Sequence, residues 1–474
     1  VSYLTLVIGA AMVGCAGLSR FFKESIQLFQ SFLLAGGLAI VFALFLSWIT
    51  RGPVNLSRRD GFGVVTFGWL TVTIFGSLPY LFSGVIEHPI SALFETMSGF
   101  TTTGATILSN LESVPQSIHF WRHLTQWLGG MGVLILCIAI LPFLGVGGMQ
   151  VFRAEMTGPS KDRLTPRITT TAKLLWGVYI LISISEVLLL HFVGKLSWFD
   201  SICHTFSTVA TGGFSTRSES IGAFNSVSVD CIIMSFMFLC GINFQLHYFA
   251  LLGKPKAYLK NSELKFFISL ILIVTTITTI SIFISMNNSF SDSLRHAAFT
   301  SISLITGTGY VVTDFDQWPD AIRLLLVAVM FFGGCAGSTT GSMKIMRITI
   351  ILKSMLREVK VFMRPSAVVQ TKLDGKAIEP LVVAQVAAFF AIFILIFAFG
   401  SFVMTFFTPD LETAATSVIA TLANVGPGLS GVGATQNYAS IPLAGQAFLT
   451  FLMLLGRLEL YTVLILFLPS FWKR

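Results

Sequence analysis

Four short segments of this chain resemble one another and sit about a hundred residues apart in an apolar background: TTGAT (102–106), ATGGF (210–214), GTGYV (307–311) and NVGPG (424–428). Aligned on the third position they share a glycine, Gly104, Gly212, Gly309 and Gly426. Thr103, Thr211, Thr308 or Val425 stands before it, and Thr102, Ala210, Gly307 or Asn424 opens the segment. Glycine can take the positive φ that turns consecutive carbonyls toward a common axis, and it lets another backbone come close. Four such segments around one axis would form a ring of carbonyl oxygens able to replace the water shell of a cation. The pattern points to an ion pore.

A pore needs a membrane, and the background supplies one. The 474 residues are 54% hydrophobic and only 11% charged, with mean hydropathy +0.82, more apolar surface than a soluble core of this length would bury. Ten apolar runs are long enough to cross about 30 Å of hydrocarbon: 1–18, 31–50, 62–86, 120–144, 171–194, 226–252, 264–286, 319–351 (interrupted), 381–407 and 441–471. The six cysteines show no CxxC spacing and read as small buried apolar residues. AAMVGCAG, around Cys15, faintly resembles a lipoprotein cleavage box, but no basic region precedes it, and a spanning helix is the expectation.

Charge sets the orientation. Linkers 51–61, 153–173, 254–265 and 344–376, with Lys473 and Arg474, hold 22 of the 30 Lys and Arg, whereas the opposite loops hold seven. By the positive-inside rule the basic linkers and both termini face the cytoplasm. The net +8 is therefore a cytoplasmic excess and no sign of nucleic-acid binding. The other face carries 13 acids against its seven bases, which weakly concentrates cations at the mouth.

After each basic linker come an apolar helix, a short segment ending at the glycine motif, and a second apolar helix. The short segments (89–103, 199–211, 292–308, 410–425) are too short to cross, and Ser91, Asp200, Asp292 and Asp410 stand near their starts as helix-start residues. Their negative C-terminal ends would point inward and favour a cation. Each second helix carries a glycine interruption, at Gly130, Gly241, Gly334 and Gly456. The expected fold is an all-α integral membrane protein of four covalently linked helix–pore-loop–helix repeats, a pseudo-tetramer, plus two extra N-terminal transmembrane helices. Its divisions are 1–50 (helix pair), 51–150, 151–253, 254–365 (with an intramembrane loop) and 366–474.

On these four motifs and their repeat, the chain resembles the superfamily of bacterial and plant potassium transporters that includes TrkH, KtrB and HKT. The two extra N-terminal spans and the length favour the bacterial TrkH branch. The resemblance implies that the four segments form a selectivity filter for K⁺, the transported ion, with no organic cofactor in this chain. No repeat has the serine that Na⁺-biased members carry in the first repeat. Only GTGYV has the tyrosine of the fuller channel motif TVGYG, which implies weaker selectivity than a true K⁺ channel has. The resemblance also implies a bacterial inner-membrane protein, a homodimer, and a cytosolic nucleotide-binding regulatory subunit of the TrkA kind.

Two features bear on gating. FFGGCAGSTTGSMK (331–344), with Gly334, Gly337, Ser338, Thr339, Thr340 and Gly341, is a poor helix at mid-membrane depth. It reads as a glycine-rich packing interface or as an unwound loop across the pore, and the resemblance favours the loop. It lacks the GK[ST] of a phosphate loop. Arg457, near the middle of the last apolar run, costs about 2.5–3.5 kcal/mol to insert and is a functional-site candidate, or else a partner for a buried acid such as Glu186. In the resembling family an arginine here lines the pore and faces the loop. Arg357, Lys360 and Arg364, in the most basic linker, are expected at the regulator's docking surface. His119 and His123 stand four apart without further ligands and suggest capping or interfacial roles. Trp121, Trp127, Trp198 and Trp318 are expected near the membrane interfaces. No catalytic constellation is present, so an enzyme is not expected. The rivals to a channel-like K⁺ uptake path are a K⁺ symporter coupled to H⁺ or Na⁺ and a scaffold whose glycines only pack helices.

Overall fold

The computed structural model describes residues 1–50, 58–139, 164–286, 289–366, 369–374 and 376–473. Linker segments 51–57 and 153–163, Arg474, and the end of the run 120–144 beyond Ala139 lie outside the described residues.

In hydrocarbon every backbone N–H and C=O needs a partner within its own segment, so long apolar runs become helices. Six described helices are long and apolar enough to cross a membrane: Ser2–Phe21, Ile26–Ile49, Asp60–Ser83, Ala172–Phe192, Ser262–Ser285 and Pro380–Met404. Each begins on a recognisable signal where the chain supplies one. Ser25 Oγ accepts from Leu28 N at 3.3 Å, Asn261 Oδ1 accepts from Leu264 N at 2.7 Å, and Pro380 opens its own helix. The first two helices cross closely, because Gly9 and Gly36 let each backbone approach the other: a Cβ on Gly36 would lie 2.9 Å from Gly9 O.

The unit of outer helix, short helix, extended strand and inner helix then recurs four times. The short helices are Pro89–Phe100, Trp198–Val209, Phe290–Ile305 and Leu411–Leu422. Their N-caps are His88, Ser197, Ser289 and Asp410. Of the expected start residues only Asp410 is itself a cap. Asp200 and Asp292 lie three residues inside, each accepting a hydroxyl bond from the capping serine (2.8 and 2.7 Å) while its own N–H donates back. Ser91 sits within its helix and donates to Gln446 Oε1 at 2.7 Å.

The inner helices depart most from the straight spans expected. The second bends by 99° between Val227–Gly241 and Phe244–Leu251, and the fourth by 111° between Leu443–Arg457 and Tyr461–Phe467. The third stops at Met330 and resumes at Ile345. Only the first, Gln116–Ala139, runs unbroken through its marked glycine, Gly130. A two-stranded hairpin (Lys372–Leu373 with Lys376–Ala377) follows the long third-repeat helix Ile345–Met363. Lys353 Nζ donates to Lys372 O at 3.0 Å and Ser262 N to Asp374 Oδ1 at 2.9 Å, tying that helix to the start of the third outer helix.

Candidate functional site

Each short helix ends in the same way. The next residue stays near helical geometry, and the one after it turns to positive φ: Thr102 (51°), Thr211 (53°), Gly307 (67°) and Asn424 (54°). The third donates back to a carbonyl in the helix's last turn, Thr103 N to Ser98 O, Gly212 N to Ser207 O, Thr308 N to Ser303 O and Val425 N to Ala420 O, all at 2.8–2.9 Å. A second positive φ follows at Gly104 (82°), Gly213 (75°), Gly309 (77°) and Gly426 (101°).

This register corrects the sequence alignment in the second repeat. Gly213, not Gly212, is the counterpart of Gly104, Gly309 and Gly426. Gly212 matches Thr103, Thr308 and Val425. Ala210 is not in the strand at all: it is the C-cap of its helix, matching Thr101, Thr306 and Ala423. With two glycines in a row, alignment by motif alone is off by one.

The four glycines close a cycle. A Cβ on Gly104 would fall on Gly212 O, one on Gly213 on Thr308 O, one on Gly309 on Val425 O, and one on Gly426 on Thr103 O. Every strand thus lays a carbonyl against the glycine of the strand before it, and the fourth returns to the first. These positions need glycine twice over, for the left-handed backbone and for the neighbour's oxygen. The same four glycines line one small cavity of about 80 Å³ at the far end of the strands, together with Arg122 and Tyr438.

Side chains outside the four motifs, joined by Asn424 from within the fourth, hold these strands. Arg122 and Glu95, both fully buried, pair at 2.8 Å. Glu95 also accepts from Thr106 Oγ1 and Ile107 N, while Arg122 donates to Ser215 O and covers the Phe214 ring at 4.1 Å. One ion pair thereby braces the strand ends of the first and second repeats. Asn424 Nδ2 donates to Thr103 Oγ1 at 2.9 Å, and Tyr438 hydroxyl to Gly426 O at 2.7 Å. A charge pair of one acid and one base, 27 positions apart, carries no recognisable spacing in sequence.

At the other end of the strands lies the non-helical stretch between Met330 and Ile345. Its glycines and hydroxyls do not line a helix–helix contact. They form a loop closed on itself by Gly333 N to Met343 O (2.8 Å), Gly334 N to Thr340 Oγ1 (3.0 Å) and Ser338 Oγ to Thr340 Oγ1 (2.8 Å). The tip reaches across the other repeats. Thr339 Oγ1 donates to Val209 O (3.1 Å), the last residue of the second short helix, and Ser342 N to Ala423 O (2.9 Å), beside the fourth. Gly341 packs so tightly on Ala423 and Asn424 that a side chain there would collide with both, and Gly337 turns at φ 76°. Glu263 Oε1 accepts from both Ala336 N (2.7 Å) and Met346 N (3.0 Å), clamping the two ends.

Arg457 meets this loop. The residue is buried, its Nη1 donates to Thr339 O at 3.0 Å, and its Nη2 lies 3.5 Å from Gly129 O in the first repeat. Gly334, Gly337, Ser338, Thr339, Thr340, Gly341 and Arg457 are therefore one assembly beneath the strands. Arg357, Lys360 and Arg364 lie well away from it, at the far end of Ile345–Met363. Lys360 and Arg364 are exposed, whereas Arg357 is half-buried and donates to Val369 O at 2.8 Å. The same helix end exposes Met355, Leu356, Val359, Phe362 and Met363, an apolar face that the charge pattern did not reveal. His119 bonds Leu111 O and His123 bonds Ser207 Oγ, both buried. Trp121 and Trp318 are buried inside the protein, while Trp198 is half-exposed.

A family model described as a cation transport protein, TrkH, matches residues 28–474. A Trk system potassium uptake protein TrkH from Halomonas elongata is 38% identical over 476 residues, covering 99% of this chain and 98% of the relative. Its counterpart from Salmonella typhimurium is 40% identical over 440 residues, 92% of this chain and 90% of the relative. The crystal structure of the potassium transporter TrkH from Vibrio parahaemolyticus superposes with a TM-score of 0.92 at 33% identity, covering 100% of this chain and 98% of that one.

Proposed function

The chain belongs to the TrkH family of cation transport proteins, multi-span membrane proteins rather than enzymes, and from that premise we propose that it is a potassium uptake protein of a Trk system with a channel-like path. The observation that carries this reading is the closed cycle of four strands, each with a left-handed glycine against the next strand's carbonyl. Such a ring, at the negative ends of four short helices, favours a desolvated monovalent cation. The filter residues are then Thr102, Thr103 and Gly104; Thr211, Gly212 and Gly213; Gly307, Thr308 and Gly309; and Asn424, Val425 and Gly426.

The loop 331–344 and Arg457 form the gate in this reading. A buried positive charge and a polar loop below the ring oppose cation passage until they move. Movement would come from the cytoplasmic side, where Ile345–Met363 continues directly from the loop. Lys360 and Arg364, with Arg357 and the neighbouring apolar face, would dock a nucleotide-binding regulatory subunit of the TrkA kind. The protein would work as a homodimer in a bacterial inner membrane, with both termini in the cytoplasm.

The test is K⁺ flux into liposomes containing the purified protein, driven by an imposed voltage with no Na⁺ or H⁺ gradient. A channel-like path carries current under these conditions. A symporter coupled to H⁺ or Na⁺ needs its coupling gradient, and a scaffold carries nothing.

A further inference from the structure

The second repeat differs from the other three at one place in its strand. Thr103, Thr308 and Val425 are β-branched, and their counterpart is Gly212. Gly212 does not need to be glycine for its backbone, since its φ is not in the left-handed region, unlike that of Gly213. What excludes a side chain is Gln126, from the first repeat's inner helix. A Cβ on Gly212 would lie 2.5 Å from Gln126 Cδ and 2.7 Å from both its amide atoms. The fully buried Gln126 amide fills that space and bonds the strand on both sides of Gly213: Nε2 donates to Gly212 O at 2.6 Å, and Oε1 accepts from Phe214 N at 3.2 Å. Gly212 O is also the oxygen that lies against Gly104, so the amide fixes one of the four carbonyls of the cycle.

We propose that Gln126 is a positioning residue for ion discrimination, standing in for the side chain that the second strand lacks and holding Gly212 and Phe214 in register with the other three strands. The inference rests on the K⁺-filter reading above. A buried carbonyl and N–H that lose their partner are costly, and the strand relaxes to recover them.

The experiment compares K⁺ and Na⁺ flux per molecule in liposomes, with K⁺-dependent protection against thermal unfolding as a second readout. Gln126→Leu keeps the volume and removes both hydrogen bonds. It is expected to lower the K⁺ over Na⁺ flux ratio by about five- to tenfold, with a matching loss of K⁺ protection. Gly212→Val alone should also lose discrimination, because it collides with Gln126. The double variant Gln126→Ala with Gly212→Val relieves the collision but leaves Gly212 O and Phe214 N without their amide partner, so it should stay as poorly selective as Gln126→Leu. A Gln126→Leu protein with the wild-type ratio overturns the proposal, and so does a double variant that regains the wild-type ratio without the two hydrogen bonds. Wild-type protein that selects K⁺ alongside either result leaves the filter reading standing, whereas wild-type protein with no K⁺ flux and no K⁺ protection removes both.

Discussion

At the scale of single residues, the corrected register makes a sharp prediction. Gly104→Ser, Gly213→Ser and Gly309→Ser each put a Cβ on a neighbouring carbonyl and force a left-handed backbone on an L-residue. The left-handed term alone is ~1–2 kcal/mol, so K⁺ over Na⁺ discrimination should fall by about tenfold or more, read as the flux ratio in liposomes. Three of the four glycines were legible as motifs; the fourth was missed because two adjacent glycines fit equally well. A signal was available. A serine stands six residues ahead of the turning glycine in three repeats, Ser98, Ser207 and Ser303, and its carbonyl receives the strand's first bond. The brace of Glu95 and Arg122 left no such trace. Arg122→Met strands a buried carboxylate, which should cost about 3–5 kcal/mol and show as a lower melting temperature in detergent. The joint change with Glu95→Gln should cost less.

At the scale of elements, the helices were readable from apolar runs, whereas their breaks were readable only as places. Glycine marks at 130, 241, 334 and 456 look alike in sequence, yet one stays helical, two bend and one opens into a loop. Tertiary partners make the difference. Around Gly334 the loop finds Gly241 O, Ala423 O and Glu263 to satisfy its backbone, and a helix would forgo them. Near Gly130 the helix keeps its own ladder, and its Gly129 carbonyl is left to face Arg457. If the loop and the arginine obstruct the path, shortening 334–342 or making Arg457→Ala should raise K⁺ flux per molecule. Loss of a charged hydrogen bond of about 1.5–3 kcal/mol corresponds to roughly ten- to a hundredfold. Flux normalised to the protein recovered in liposomes checks this, since a packing role would instead lower the protein recovered and leave its specific flux unchanged.

At the scale of the whole molecule, the chain was legible as four repeats on a membrane frame, but the surface of the helix Ile345–Met363 was not. Charge pointed to Arg357, Lys360 and Arg364, and the structure adds that Arg357 is partly engaged within the chain and that Phe362 and Met363 stand exposed beside them. Reversing all three charges should weaken regulator binding by about ten- to a hundredfold at low salt, and less at high salt, with the oligomeric state on a sizing column unchanged. Binding at wild-type affinity at low salt would exclude this helix end. The contact that closes the strand cycle has a further consequence for biosynthesis. Gly426 meets Thr103 O, and nearby Asn424 bonds Thr103 across 321 positions of chain. At about 5–20 residues per second, the first strand leaves the ribosome on the order of twenty seconds to a minute before its last neighbour exists. Until then its oxygens face an unfinished enclosure, so a nascent chain stalled before the fourth repeat holds three quarters of the ring and leaves Thr103 O without the glycine that packs against it.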